Sequence, residues 1–269
     1  MIFDNEDKII LAEMQKTAEN EEFMRDFIAF LGYVTTNKIK LTPQLSRIPR
    51  KHVLEINKLF VNPLETEDRL GDKIYKLHED NLPRIFFIDI LMVASRIKNI
   101  SRQNTIVKGP MYEQFLAMDP MNKKRWLAMS WLFEFDFDMW VPFGSKFGER
   151  FCTKRLEMVP FFRKWAETLG AFSIKDTVTE LMDTLHLYWG AENKDFERGG
   201  VELGLWWSLF MPLEMMHLIE IKYSPGDRHG LKDAQEFSVP QIGRAIMREM
   251  VRAGETIQRN ELLNKRLLH

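Results

Sequence analysis

Sulfur chemistry is almost missing from this chain of 269 residues, which carries a single cysteine, Cys152. One thiol forms neither an internal disulfide nor a cysteine-based zinc site, so a disulfide-stapled scaffold is excluded. A small, part-buried hydrophobe is the reading for Cys152. A lone cysteine beside 16 methionines suits a reducing compartment. The start, Met1-Ile2-Phe3-Asp4-Asn5-Glu6-Asp7, lacks the basic head and apolar core of a secretory signal. A cytoplasmic location is therefore expected. Long hydrophobic runs are missing too: the stretch 203–216 is too short and too interrupted to span a bilayer, so no membrane partner is expected. Charge of one sign is not in excess either. There are 38 Lys and Arg against 39 Asp and Glu, a formal net charge of -1. A chain-wide basic surface of the kind that binds nucleic acid through counterion release is excluded, and any contact with DNA must come from a local patch.

Catalytic signatures are the last absence. There is no phosphate-cradling loop of Walker type and no G-x-G-x-x-G. Gly144-Ser145-Lys146-Phe147-Gly148 places its serine directly after the first glycine, so it is not a nucleophile elbow. His52, His78, His186, His217, His229 and His269 include no pair four apart on one helix and no cysteine partner at zinc-ligand spacing. No catalytic residue, cofactor or metal is expected. One acidic constellation stands against this: Glu134, Asp136 and Asp138 alternate with Phe133, Phe135 and Phe137. Extended, the three carboxylates would share a face able to hold a divalent cation; the plainer reading is an exposed acidic edge with its aromatic side turned inward.

What the chain does contain is helical periodicity. A hydrophobic fraction of 45% and a charged fraction of 29% are those of a globular protein. Residues 5–32 repeat apolar positions at steps of three to four (Ile9, Met14, Phe23, Phe27, Phe30), as one buried helix face requires. Lys38-Ile39-Lys40-Leu41-Thr42 alternates like a short strand, and Pro49 opens a helix to about Phe60. Residues 62–81 are acidic and read as a solvated connector with a short amphipathic helix. Asp119-Pro120 is a cap and first-turn pair. After it come Trp126, Trp131 and Leu132 on a helix, then an irregular connector over 134–148. Phe161, Phe162, Trp165 and Leu169 form a further apolar face, Gly170 suits a stop, and Ser173 caps the next helix.

Two segments repeat one plan. An apolar helix over 84–96 runs into a strand at 97–100, a polar turn at 101–104, a second strand at 105–107 and a helix opened by Gly109-Pro110. Near the C-terminus a helix over 201–217 runs into a strand at 218–223, a polar loop, a strand at 237–239 and a helix opened by Pro240. Met111, Phe115 and Leu116 match Ile242, Ile246 and Met247 in spacing. This order resembles the winged-helix fold, in which a third helix feeds a two-stranded wing. The expected fold is mainly α with short β-hairpins: two winged-helix-like units, 1–118 and 157–269, joined by a helical middle region, 119–156.

The resemblance implies DNA binding, with a recognition helix in the major groove and a wing on the backbone. The wing-feeding helices depart from it. The first carries only its terminal Arg84 and Arg96 around Asp89, and the second has no lysine or arginine over 201–217, where a groove reader needs donors. Basic residues lie elsewhere. Over 34–60, Lys38, Lys40, Arg47, Arg50, Lys51 and Lys58 face a single acid, Glu55. The first wing adds Lys98, Arg102 and Lys108; the second adds Lys222, Arg228 and Lys232, offset by Asp227 and Asp233. A non-enzymatic binding protein is expected, a DNA-associated regulator using these cations or a protein–protein scaffold without nucleic acid. Ile246, Met250, Ala253 and Ile257 step by four, three and four; that face either packs on the chain's own core or pairs two chains as a homodimer.

Overall fold

The computed structural model describes residues 21–44, 46–64, 82–140, 146–225 and 233–267, with 261–267 as helix backbone. The protein is mainly helical with short antiparallel sheets. It divides into two compact units, Met1–Phe135 and Asp136–His269. Among the described residues no helix is long and apolar enough to cross a membrane.

The first unit begins with α1 (Glu22–Thr36), whose inward face is Phe23, Phe27, Phe30, Leu31 and Val34. An extended segment leads to α2 (Arg50–Leu59), which follows Pro49. Then come α3 (Pro83–Ala94), β1 (Lys98–Ile100), β2 (Ile106–Lys108), α4 (Tyr112–Ala117) and α5 (Pro120–Glu134). Seven of the twelve residues of α3, from Ile85 to Met92, are buried, so this helix is a core element almost all round. Asp119 caps α5 by accepting the Asn122 N–H at 2.9 Å. Phe23, Phe87, Phe115, Trp131 and Phe135 are each 0% exposed and form the centre of the unit.

The second unit contains α6 (Phe137–Trp140), α7 (Lys146–Lys154) and a 3-10 turn leading into α8 (Val159–Glu167). After these come β3 (Ala171–Ser173), α9 (Ile174–Leu185), α10 (Lys194–Leu205), a widened π turn (Trp206–Phe210) and α11 (Met211–Met215). It closes with β4 (Glu220–Tyr223), β5 (Ala234–Ser238) and the 27-residue α12 (Gln241–Leu267). Helix α8 stops at the extended Thr168, and Gly170, at φ 118, follows in the turn before β3 in a conformation that only glycine adopts easily. Ser173 caps α9 through the Asp176 N–H. Phe237 of β5 is the hub of the core, with ring centroids 5.1 Å from Phe172, 5.3 Å from Trp165 and 5.8 Å from Phe210. The widened turn has a local cause: Pro212 has no N–H to return to the carbonyl of Ser208, and Met211 bonds instead to Trp206.

From α1 to α4 in the first unit and from α8 to α12 in the second, the units share an order of helices and strands and a sheet order. In the second, β3 lies between α8 and α9 and pairs with β5, giving the order β3-β5-β4. In the first, Lys40 takes the place of β3: it forms an isolated antiparallel bridge to Thr105, beside the β1–β2 hairpin. Helices α3 and α11 end alike. Ser95, Arg96 and Ile97 bond to the carbonyls of Leu91, Val93 and Met92. Met216, His217 and Leu218 bond in the same sequence relation to Pro212, Glu214 and Leu213. Arg96 (φ 59) and His217 (φ 50) both take the left-handed conformation that closes such a cap.

Several sequence expectations need correction. The Lys38–Thr42 strand reduces to its bridge, because only one residue finds a ladder partner. The irregular connector over 134–148 contains α6 and the start of α7; Gly148 belongs inside α7, where a Cβ would overlap the backbone of Asp138. The helix expected over 201–217 begins earlier, at Lys194, and carries Gly199 and Gly200 in its interior. The seam through Ile246 and Met250 is covered by the chain's own α8, with both residues 0% exposed. Residues 5–20 of the first expected helix and most of the acidic connector, 65–81, lie outside the described residues.

The start of α10 is held by two acceptors. Asn193 Oδ1 takes the Phe196 N–H at 3.0 Å, and buried Glu197 takes the main-chain N–H of Gly190 and, at 3.1 Å, that of Ala191. Its second oxygen meets Lys194 Nζ at 3.1 Å. Burial alone would raise the Glu197 pKa, but the Ala191 amide, Lys194 and the Gly190 amide outweigh it and hold the carboxyl below its ordinary value. A folded-state pKa below the unfolded one stabilises the fold fully above about 4.5, and that stabilisation is lost as pH falls through the folded value. Acid denaturation of Glu197→Gln is therefore expected to follow a shallower pH dependence below that point than the wild type. Superimposable profiles in urea melts between pH 3 and 6 would refute the assignment.

Candidate nucleic-acid interface

The first hairpin edge is built by alternation. Ile39 and Leu41 point into the core at 0% and 3% exposure, so Lys38 and Lys40 between them point out. This segment is bonded to the hairpin turn. Leu41 N–H reaches the Asn104 carbonyl at 2.8 Å, and Ile106 N–H reaches the Ile39 carbonyl at 2.9 Å. The turn is shaped by Asn104 at φ 58 and by Ser101 Oγ, which accepts from the Gln103 and Thr105 amides at 3.3 and 3.2 Å. Exposed Arg102 sits at its tip. Folding thus brings Lys38, Lys40 and Arg102 to one sheet edge from positions some sixty residues apart in sequence.

The other proposed cations are placed differently. Lys108 is exposed at the far end of β2, with Nζ 2.9 Å from Glu113 Oε1 and 4.1 Å from the centroid of Tyr112. The hydrogen bond to Glu113 raises its pKa. Arg47 is half-buried, its guanidinium 4.4 Å from the Phe86 ring centroid, and its backbone is tied to Thr42 in a closed loop. Arg50 and Lys51 open α2, Arg50 half-buried and Lys51 exposed. Lys58 is exposed and paired with Glu55 at 2.8 Å. Lys98 is a correction. It is 3% exposed with its ammonium on Asp89 of α3, so it is an inward ion pair and leaves the surface set. A desolvated ammonium needs such a partner.

In the second unit, Lys222 meets Glu236 at 2.8 Å across the β4–β5 pair. Lys194 and Arg198 are bonded to Glu197 and Glu202 at 3.1 and 3.0 Å. Arg228 and Lys232 lie outside the described residues. Among the acids, Glu134 closes α5, and Asp136 Oδ1 accepts the Asp138 and Met139 N–H groups at 3.1 and 3.4 Å, capping α6. Phe135 and Phe137 are 0% exposed between them. Among the described residues no three His, Cys, Asp or Glu side chains gather as metal ligands.

Two concave sites were not anticipated. Val239, Gln241, Arg244 and Arg248 line a cavity of about 480 Å³ in the second unit. Lys146, Glu149, Arg150, Thr153 and Trp189 line another of about 410 Å³. The spacing of Arg244 and Arg248, four apart just after Pro240, is a signal the sequence does carry. Comparison with protein families, curated proteins and solved structures finds no match for this chain.

Proposed function

We propose that this chain is a non-enzymatic protein of two winged-helix units that binds DNA through phosphate contacts along the first hairpin edge, as a regulator or an adaptor. The element order and sheet order shared by the two units support the architecture, and the exposed Lys38, Lys40 and Arg102 on one edge carry the DNA reading. The contacts are to the backbone. Helix α3, the element that would read bases, is buried along its length, and Arg84 at its start is engaged with Glu22 and Asp26.

A salt titration of a generic duplex by fluorescence anisotropy tests this. Affinity should fall steeply with salt, and Lys40→Ala combined with Arg102→Ala should flatten the log–log slope by roughly two units, one per lost phosphate contact. Lys58→Ala, already neutralised by Glu55, should change it little. Absence of binding at low salt removes the DNA reading.

A protein-interaction scaffold is the second reading, favoured by one observation. Phe196 is 70% exposed and Leu203 38% exposed on α10, with Tyr188 38% exposed before it. Under that reading the α10 face, rather than the hairpin edge, meets the partner.

A further inference from the structure

We propose that the cavity along the first turns of α12, lined by Val239, Gln241, Arg244 and Arg248, binds the phosphoryl group of a small soluble ligand. Its floor is two arginines on one helical face. Arg244 is half-buried and its Nε donates to the Val239 carbonyl at 2.9 Å. That bond fixes the guanidinium plane and leaves both of its terminal NH2 groups for a ligand. Arg248, one turn on, touches the Ala166 carbonyl at 3.5 Å through a single Nη. Arg244 is thus oriented by a main-chain oxygen, Arg248 is exposed and makes only that long contact, and among the described residues neither forms an ion pair.

The surrounding charges are otherwise committed. On α12, Glu249 is bonded to Arg252 at 2.6 Å and Glu255 to Arg163. On α8, Lys164 is bonded to Glu180 at 2.7 Å. Glu167, next to Ala166, is exposed and not within ion-pair distance of either arginine. Two like charges one turn apart repel each other, and an anion placed between them removes that cost. The cavity, about 480 Å³, has room for more than the anion itself. A carboxylate brings two oxygens and one charge; a terminal phosphoryl group brings three oxygens and up to two charges, and so matches two guanidinium groups better in charge and in oxygen count.

Calorimetric titration of the full chain with inorganic phosphate and pyrophosphate, in chloride of matched ionic strength, tests the proposal. Wild-type protein should bind, pyrophosphate more tightly. Arg244→Gln and Arg248→Gln should each weaken binding roughly tenfold or more, as loss of a charged fork predicts. Arg244→Lys and Arg248→Lys keep the charge and the fold but lose the fork, and should fall between. Arg252→Gln, on the same helix but outside the cavity, should bind as wild type. No heat, unchanged affinity in the glutamine variants, or equal binding of acetate would each overturn the proposal. So would an effect of Arg248→Gln on duplex DNA but not on phosphate. The titration contains no DNA, so its outcome is independent of the hairpin-edge reading.

Discussion

Lys124→Ala is expected to destabilise the protein by about 3–5 kcal/mol, the cost of leaving a buried charge without its partner. Lys124 lies on α5 at 1% exposure, and its ammonium meets the carboxylate of Glu21, itself 9% exposed, just before α1. Burial pushes the Glu21 pKa up and the Lys124 pKa down, while the attraction between the two opposes both shifts. Removing the lysine keeps the desolvation of Glu21 and deletes what compensates it. The paired change Glu21→Gln with Lys124→Met removes both charges and should restore most of the loss, because a buried pair contributes little over an apolar replacement of similar volume. Urea denaturation of the wild type and the two variants checks this. A single-variant loss below about 1 kcal/mol, the range of a solvent-screened surface pair, would contradict the burial on which the argument stands.

Gly243→Ala is expected to cost about 1–3 kcal/mol through overpacking. Gly243 lies where α12 crosses the end of α11, and a Cβ there would overlap the main-chain oxygen of Leu218. Backbone cannot swing aside as a side chain can. The amide of Leu218 is bonded back to Leu213, so displacement reaches the cap and then β4. Gly109 meets the oxygen of Arg96 in the first unit in the same way. Gly254 is the internal control: its added Cβ would meet Cγ2 of Val159, a side-chain methyl that can adjust. Thermal melts should rank Gly243→Ala well below Gly254→Ala, and the reverse order would show that the α11–α12 crossing is not rigid.

Sequence periodicity reads the hairpins well because their signals are local. Strand alternation, the polar turn at 101–104 and the proline before α12 each act within a few residues, and β1, β2 and β4 fall within two residues of expectation. It fails where the deciding contact is distant. Lys98 looks like a surface cation until Asp89, one helix earlier, is placed beneath it. The helix expected from 201 starts at Lys194, and inside it a Cβ at Gly200 would meet the ring of Trp189. Gly148 looks like connector, yet it is the point where α7 touches the backbone of Asp138. Of the candidate interface, the charges were legible one by one. The meeting of Lys40 with the 101–105 turn depends on a long-range strand bridge that no local pattern encodes.

The π turn at Trp206–Phe210 has a consequence for the face presented by α10. One residue more than an α turn holds advances the helix by about 100°. Leu205 and Leu209 are buried, as are Leu213 and Met216 after the turn. Deleting one residue there would leave α11 anchored by its cap and rotate everything upstream, turning Phe196 and Leu203 to a different bearing. Pro212 therefore sets the compass heading of an aromatic side chain four turns away.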